Sequence, residues 1–167
     1  MVHENQKAEF INGEIILHSP VRNRHWAACT RIGARLSVFA DDDKLGIVGI
    51  GKVLVHCTRN DYEPDVVFFG QEKAKHFKAD QMLHPAPDLV VEVLSDSTKE
   101  NDYGIKFTDY AHHGVYEYWI VDTSNKSVEQ YFLKEGEFHL HQKLTESGKL
   151  KSSMVKGFEM EVQAIFE

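Results

Sequence analysis

The spacing of hydrophobic and polar positions changes period several times along this chain. Residues 8–18, AEFINGEIILH, carry short apolar runs on either side of Asn12-Gly13. Both turn residues tolerate positive φ, so the pattern predicts a β-hairpin. Between residues 20 and 40 the period becomes helical. Cys29, Ile32, Leu36 and Phe39 fall on one stripe, and His25 joins it four residues before Cys29. Arg24, Arg31 and Arg35 form a second stripe on the same helix. The run Asp41-Asp42-Asp43 ends the segment and reads as a solvated loop. Strand patterns follow at 46–56 and 63–69, then a polar stretch holding Lys73, Lys75, His76 and Lys78 that reads as loop or short helix. Residues 88–95, DLVVEVLS, are apolar on both parities, as expected of a central strand buried on both faces.

Ser97 and Glu100 have the spacing of a capping box, which predicts a helix through His113 closed by Gly114. Strands are predicted at 116–122, 127–133 and 137–144, the last two as a hairpin, with a closing strand near 158–162. This order gives a mixed α/β (α+β) class: a central mixed sheet flanked by helices, with an N-terminal hairpin and C-terminal strands. The length of 167 residues, without repeat or linker, predicts one domain over 1–167.

Composition narrows the function classes. Acids outnumber bases, 26 to 19, for a net charge of -7, which argues against a protein that coats nucleic acid indiscriminately. It does not exclude a nucleic-acid enzyme with a locally basic face. The sequence contains no apolar run long enough to cross a bilayer, and MVHENQKAEF has neither a basic n-region nor an apolar h-region. A cytoplasmic protein without membrane contact is expected. Cys29 and Cys57 have no ligand spacing and read as two buried thiols.

Chemistry enters with Glu92, inside the most buried-looking strand. An ionised carboxylate there costs several kcal/mol unless it is paired or holds a cation. It is either a structural ion pair with an Arg or Lys, for which the arginine-bearing helix is one source, or a metal ligand or acid/base group. Asp65, after Pro64 at the head of another apolar strand, is its natural companion. Neighbouring strands lie about 4.8 Å apart, so carboxylates at matching heights can share one Mg²⁺. Asp88 lies on the strand of Glu92, but roughly 13 Å along it at about 3.3 Å per residue, and reads as a strand-entry residue. Lys106 stands four residues after Asp102 and four before Tyr110. It fits either an i,i+4 ion pair or a cation leaning over the site. His112 and His113 suit a helix C-terminus. His139 and His141 alternate on a strand whose commoner fate is exposure.

The segments YEPDVVFF, PAPDLVVEVLSDSTKENDYGIKFTDYAHHGVYEYWIVD and SVEQYFL, with the earlier INGEIILHSP, resemble the Uma-two family of restriction-endonuclease-like proteins. That family belongs to the PD-(D/E)XK nuclease superfamily. The resemblance implies a restriction-endonuclease-like core and a Mg²⁺-dependent phosphodiesterase site, with Mn²⁺ as a substitute. Asp65 is the motif Asp and Glu92 the motif Glu. Leu94 stands where the motif lysine belongs, which implies a lysine migrated to Lys106. Asp65, Glu92 and the strand carbonyl of Val93 are the implied metal ligands. Glu9, Glu14 and His25 correspond to polar positions of the family's N-terminal part, and Glu14 and His25 are candidates to line the site. Arg24, Arg31 and Arg35 are candidates to contact the nucleic-acid backbone. The implied activity is cleavage of DNA by a homodimer. The alternative is a nuclease-fold protein that no longer cleaves and serves as a homodimeric binding or assembly module.

Overall fold

The computed structural model describes residues 6–167. Residues 1–5, half of the segment read above for a signal, lie outside that range. The N-terminal hairpin forms as predicted: β1 (Ala8–Ile11) pairs antiparallel with β2 (Glu14–Leu17). Its turn residues Asn12 and Gly13 have φ of 52° and 89°, which the sequence signal anticipated. Helix α1 (Asn23–Asp42) follows. It runs two residues beyond the segment read as helical, so Asp41 and Asp42 form its exposed end rather than a loop.

The apolar run at 46–56 divides into two strands. β3 (Gly46–Ile50) ends at Gly51, which sits at φ 83°, and β4 (Leu54–Cys57) continues in another sheet. The left-handed residue turns the chain, which the alternation of side chains does not reveal. β5 (Asn60–Tyr62) and β6 (Val66–Gly70) come next, then the short α2 (Gln71–Ala74), β7 (Leu83–His84) and β8 (Leu89–Val93). All five residues of β8 are buried, as its two-sided apolarity predicts.

The helix expected through His113 is broken in two, α3 (Lys99–Tyr103) and α4 (Ile105–His112). Gly104 joins them, and a Cβ there would stand 2.7 Å from the Glu100 carbonyl oxygen. The predicted capping box is absent: the N-cap is Thr98, without a side-chain cap bond, and the hydroxyls of Ser95, Ser97 and Thr98 bond one another instead. The chain then forms β9 (Glu117–Asp122), β10 (Ser127–Lys134), β11 (Glu137–Thr145), β12 (Lys149–Lys151), β13 (Glu159–Glu161) and α5 (Gln163–Phe166).

A six-stranded mixed sheet, in order β11-β10-β9-β8-β6-β3, is the centre. A five-stranded sheet, β2-β1-β5-β4-β7, lies beside it, and β12-β13 form a small ribbon. Each face of the central sheet has its own core. Leu89, Val91 and Val93 point with Val66 and Phe68 toward α1, where Ala28, Ile32 and Leu36 are fully buried. Val90 and Ile120 point with Val67 and Phe69 toward Tyr110 of α4 and the N-terminal sheet. Burying each such aliphatic or aromatic side chain contributes about 1.5–3 kcal/mol. The two cores clamp β6 and β8 in fixed register.

Candidate active site

β6 and β8 run antiparallel with Val66 opposite Val91, so the next step of that register sets Asp65 against Glu92. Glu92 shares the face of Val90, beneath α4, and Asp65, just ahead of β6, reaches the Val93 amide and His25 of α1. The predicted convergence of two carboxylates from adjacent strands is thus present. Asp88 stays apart: its carboxylate accepts the Gly70 amide at 2.7 Å and meets Lys73 Nζ at 2.7 Å. It is a strand-entry residue, as its spacing predicted.

Lys106 completes the cluster. Its side chain is 1% exposed, and Nζ lies 2.9 Å from Glu9 Oε1, 3.2 Å from Glu92 Oε1 and 3.3 Å from Asp102 Oδ1. Lys106 thus pairs with Asp102 one turn back and also lies against Glu92. The partner of buried Glu92 is this lysine and not an arginine of α1. Tyr110, a further turn along, donates its hydroxyl to Glu92 Oε1 at 2.8 Å.

Asp65 is held from three sides. The Val93 amide donates to Oδ2 at 2.8 Å, Lys7 Nζ lies 2.9 Å from Oδ1, and His25 Nε2 is 3.5 Å from Oδ2. Glu9 Oε1 also accepts the Glu63 amide, and Glu9 Oε2 meets His18 Nε2 at 3.0 Å. These groups border a cavity of about 410 Å³, whose walls include Lys7, His18, His25, Asp65, Glu92, Ser95 and Lys106.

Environment separates the carboxyls. Burial pushes Glu92 up to about 8, with Asp102 and Asp65 adding to the rise and Lys106 opposing it. Burial works in the same direction on Asp65, but the contact from His25 and the Lys7 ammonium hold it well below the usual range. Glu9 is also penalised by burial, yet Lys106 and His18 bring it down to about 2. Burial disfavours the Lys106 ammonium, but the charges of Glu92, Glu9 and Asp102 outweigh it and raise its pKa well above the ordinary value. The cluster contains cations and anions in direct contact, and burial raises two of its carboxyls, Glu92 and Asp102, toward the protonated form.

Of the other predicted residues, His25 reaches the cavity from the apolar face of α1. Glu14 does not. It is exposed at the start of β2, opposite Ile11: it shares that face with Glu9 but stands at the hairpin tip. Glu9, on the inner parity of β1, is the glutamate that reaches the cluster. Arg24 borders an adjoining polar cleft with Arg22, Ser95 and Lys99. Arg31 donates to the Ile165 carbonyl at 3.1 Å and Arg35 to the Arg31 carbonyl at 3.0 Å, so the stripe is divided between cleft edge and helix packing. His113 is held by the Asp109 carbonyl and Thr58, and His139 lies exposed on β11. Lys7 and His18 were missed by the sequence reading. The only available signal was parity, since Lys7 and Glu9 fall on one side of a β1 strand extended by one residue.

The family described as Uma2, "Putative restriction endonuclease", matches residues 1–163. The chain belongs to that family. Its structure is similar to a crystal structure of "a putative nuclease belonging to DUF820" from Anabaena variabilis, with a TM-score of 0.79 over 95% of this chain and 89% of that one. Sequence identity there is 15%, so this likeness shows a shared fold. No curated protein sequence matches the chain. Among the described residues of this Uma2 protein, no helix is long and apolar enough to cross a membrane.

Proposed function

We propose that this Uma2 protein is a Mg²⁺-dependent endonuclease that hydrolyses DNA phosphodiester bonds through a PD-(D/E)XK-like site whose lysine comes from α4. The observation that carries the reading is the convergence of Asp65, Glu92 and Lys106 on one cavity, from a sheet register and a helix that are far apart in sequence.

The donors suit a hard cation. Asp65 and Glu92 offer carboxylate oxygens from neighbouring strands, and the Val93 carbonyl is the third candidate ligand. When bound, the ion would supply Lewis-acid activation of a phosphoryl oxygen and of water. The residues of the chain supply the rest. His25 and Lys7 hold the Asp65 carboxylate ionised, and the Val93 N–H fixes its orientation. Tyr110 fixes Glu92. Lys106 keeps its proton, because three carboxylates surround it, so its role is that of a charged donor. It orients the attacking water and stabilises charge developing on the phosphoryl oxygens, and is not a base. Arg24 and Lys99 in the adjoining cleft are the candidates to contact the backbone beyond the scissile phosphate.

Cleavage of supercoiled plasmid in Mg²⁺ or Mn²⁺ tests this directly. Asp65→Asn and Glu92→Gln should each lower the rate by at least a hundredfold while retaining the native circular dichroism spectrum. Wild-type rates in both variants would overturn the assignment.

One observation favours the second reading, a non-cleaving homodimeric module. Lys7 and Lys106 already neutralise carboxylates of the cluster. This is how a fold that had exchanged its cation for internal ion pairs would look. Absence of divalent-metal binding by the wild type would support that reading.

A further inference from the structure

We propose that His25, Cys29 and Asp65 form a second metal site, selective for a soft divalent transition ion such as Zn²⁺, whose occupation withdraws Asp65 from the magnesium pair and inhibits the enzyme. The inhibitory part rests on the nuclease reading above; the binding part does not.

His25 and Cys29 lie one turn apart on the buried face of α1, beside Asp65 at the head of β6. His25 Nδ1 is 3.6 Å from Cys29 Sγ, and His25 Nε2 is 3.5 Å from Asp65 Oδ2. One donor atom from each of the three residues lies within 4.8 Å of the other two. A tetrahedral zinc with Zn–S near 2.3 Å and Zn–N near 2.0–2.1 Å sets its ligand atoms about 3.3–3.6 Å apart. The Nδ1–Sγ pair already has that spacing; Asp65 Oδ2 faces the other ring nitrogen, so an ion must draw the three donors together from within 4.8 Å.

The donor chemistry decides which ion fits. Thiolate and imidazole are poor ligands for Mg²⁺ and good ones for Zn²⁺. On binding, the Cys29 thiol loses its proton to solvent, His25 offers a nitrogen lone pair and Asp65 an oxygen. The thiolate and the carboxylate then balance the 2+ charge, which a buried site requires. His25 and Asp65 both border the 410 Å³ cavity, which leaves an approach for the ion and a water for the fourth position. Asp65 thus stands between two donor sets, a hard one with Glu92 and a soft one on α1. An ion on the soft set draws Oδ2 toward α1 and places a second dication beside the magnesium position, so the two ions repel.

Cobalt serves as the probe, because a Co²⁺–thiolate bond gives a near-ultraviolet charge-transfer band. Titration of the full-length protein with Co²⁺ should produce that band with one equivalent. The band should persist in Cys57→Ser, whose thiol is the other buried one, and vanish in the near-isosteric Cys29→Ser. Zn²⁺ should abolish the band in competition. In the plasmid assay, Cys29→Ser should retain Mg²⁺-dependent cleavage and require at least tenfold more Zn²⁺ for half-inhibition. No band in wild type and Cys57→Ser, or a band that survives in Cys29→Ser, overturns the site. Equal Zn²⁺ sensitivity of the wild type and Cys29→Ser overturns its inhibitory role. The spectral arm needs no substrate, so its outcome stands even if the protein cleaves nothing.

Discussion

Lys106 is the residue on which the site turns. Three carboxylates share one buried ammonium, and removing it leaves them facing each other without a counter-charge. Lys106→Ala in the metal-free protein should therefore lose about 3–5 kcal/mol of stability, the range for breaking a buried pair from one side. Urea denaturation in EDTA measures this, and a loss within ~0.5 kcal/mol would contradict the burial of the charge. Glu92 makes the complementary pH prediction. Its folded pKa is raised from 4.5 to about 8, so the folded state holds a proton that the unfolded state has released. Its contribution is fully present below pH 4.5 and is lost as pH rises through about 8. Glu9, lowered to about 2, acts oppositely, and its stabilisation is lost as pH falls from 4.5 through that value. Glu92→Gln should accordingly flatten the decline in metal-free stability between pH 5 and 8. A wild-type slope in the variant would show that Glu92 is ionised throughout.

At the scale of elements, the parts of the site that were legible in sequence are those with strong local signals. The Glu92 strand was visible because a charge inside a two-sided apolar run has few explanations. Asp65 followed from strand spacing. The hairpin and Gly114, at φ 77°, were visible from turn chemistry. The failures share a cause. The break at Gly51, the break at Gly104 and the contribution of Lys7 and His18 all depend on how elements pack rather than on the period within one. Glu14 and Glu9 show the difference sharply: both are glutamates on one face of the same hairpin, and their place along it, at the tip or beside β5, decides which is buried. Another packing-dependent feature escaped the sequence reading. Glu117 is fully buried, accepts from Trp119 Nε1, Gln130 Nε2 and Ser152 Oγ, and takes the amides of Ser153 and Met154. One carboxylate thereby ties the loop after β12 to the central sheet. Glu117→Ala strands these buried donors, each costing about 1–3 kcal/mol, and should expose amides of residues 150–160 to hydrogen exchange. Unchanged protection there would show that the C-terminal ribbon is held by its apolar contacts alone.

For the whole molecule, the net charge of -7 acquires a location. Glu9, Asp65, Glu92 and Asp102 gather at one end of β6 and β8, and Lys7 and Lys106 offset part of their charge. The acidic balance thus reflects in part a buried cluster of carboxylates rather than a surface that repels nucleic acid. The cleft that adjoins that interior carries Arg22, Arg24 and Lys99 together with Asp96 and Asp122, a mixed-charge edge beside an acidic centre. Both the nuclease and the module readings accept this fold, and they part over one property, the binding of a divalent ion by the cluster. Calorimetric titration of the wild type and Glu92→Ala with Mn²⁺ measures it most directly. The account predicts saturable binding at one principal site in the wild type, weakened at least tenfold in Glu92→Ala. Binding of equal strength in both proteins, or none in the wild type, would contradict it.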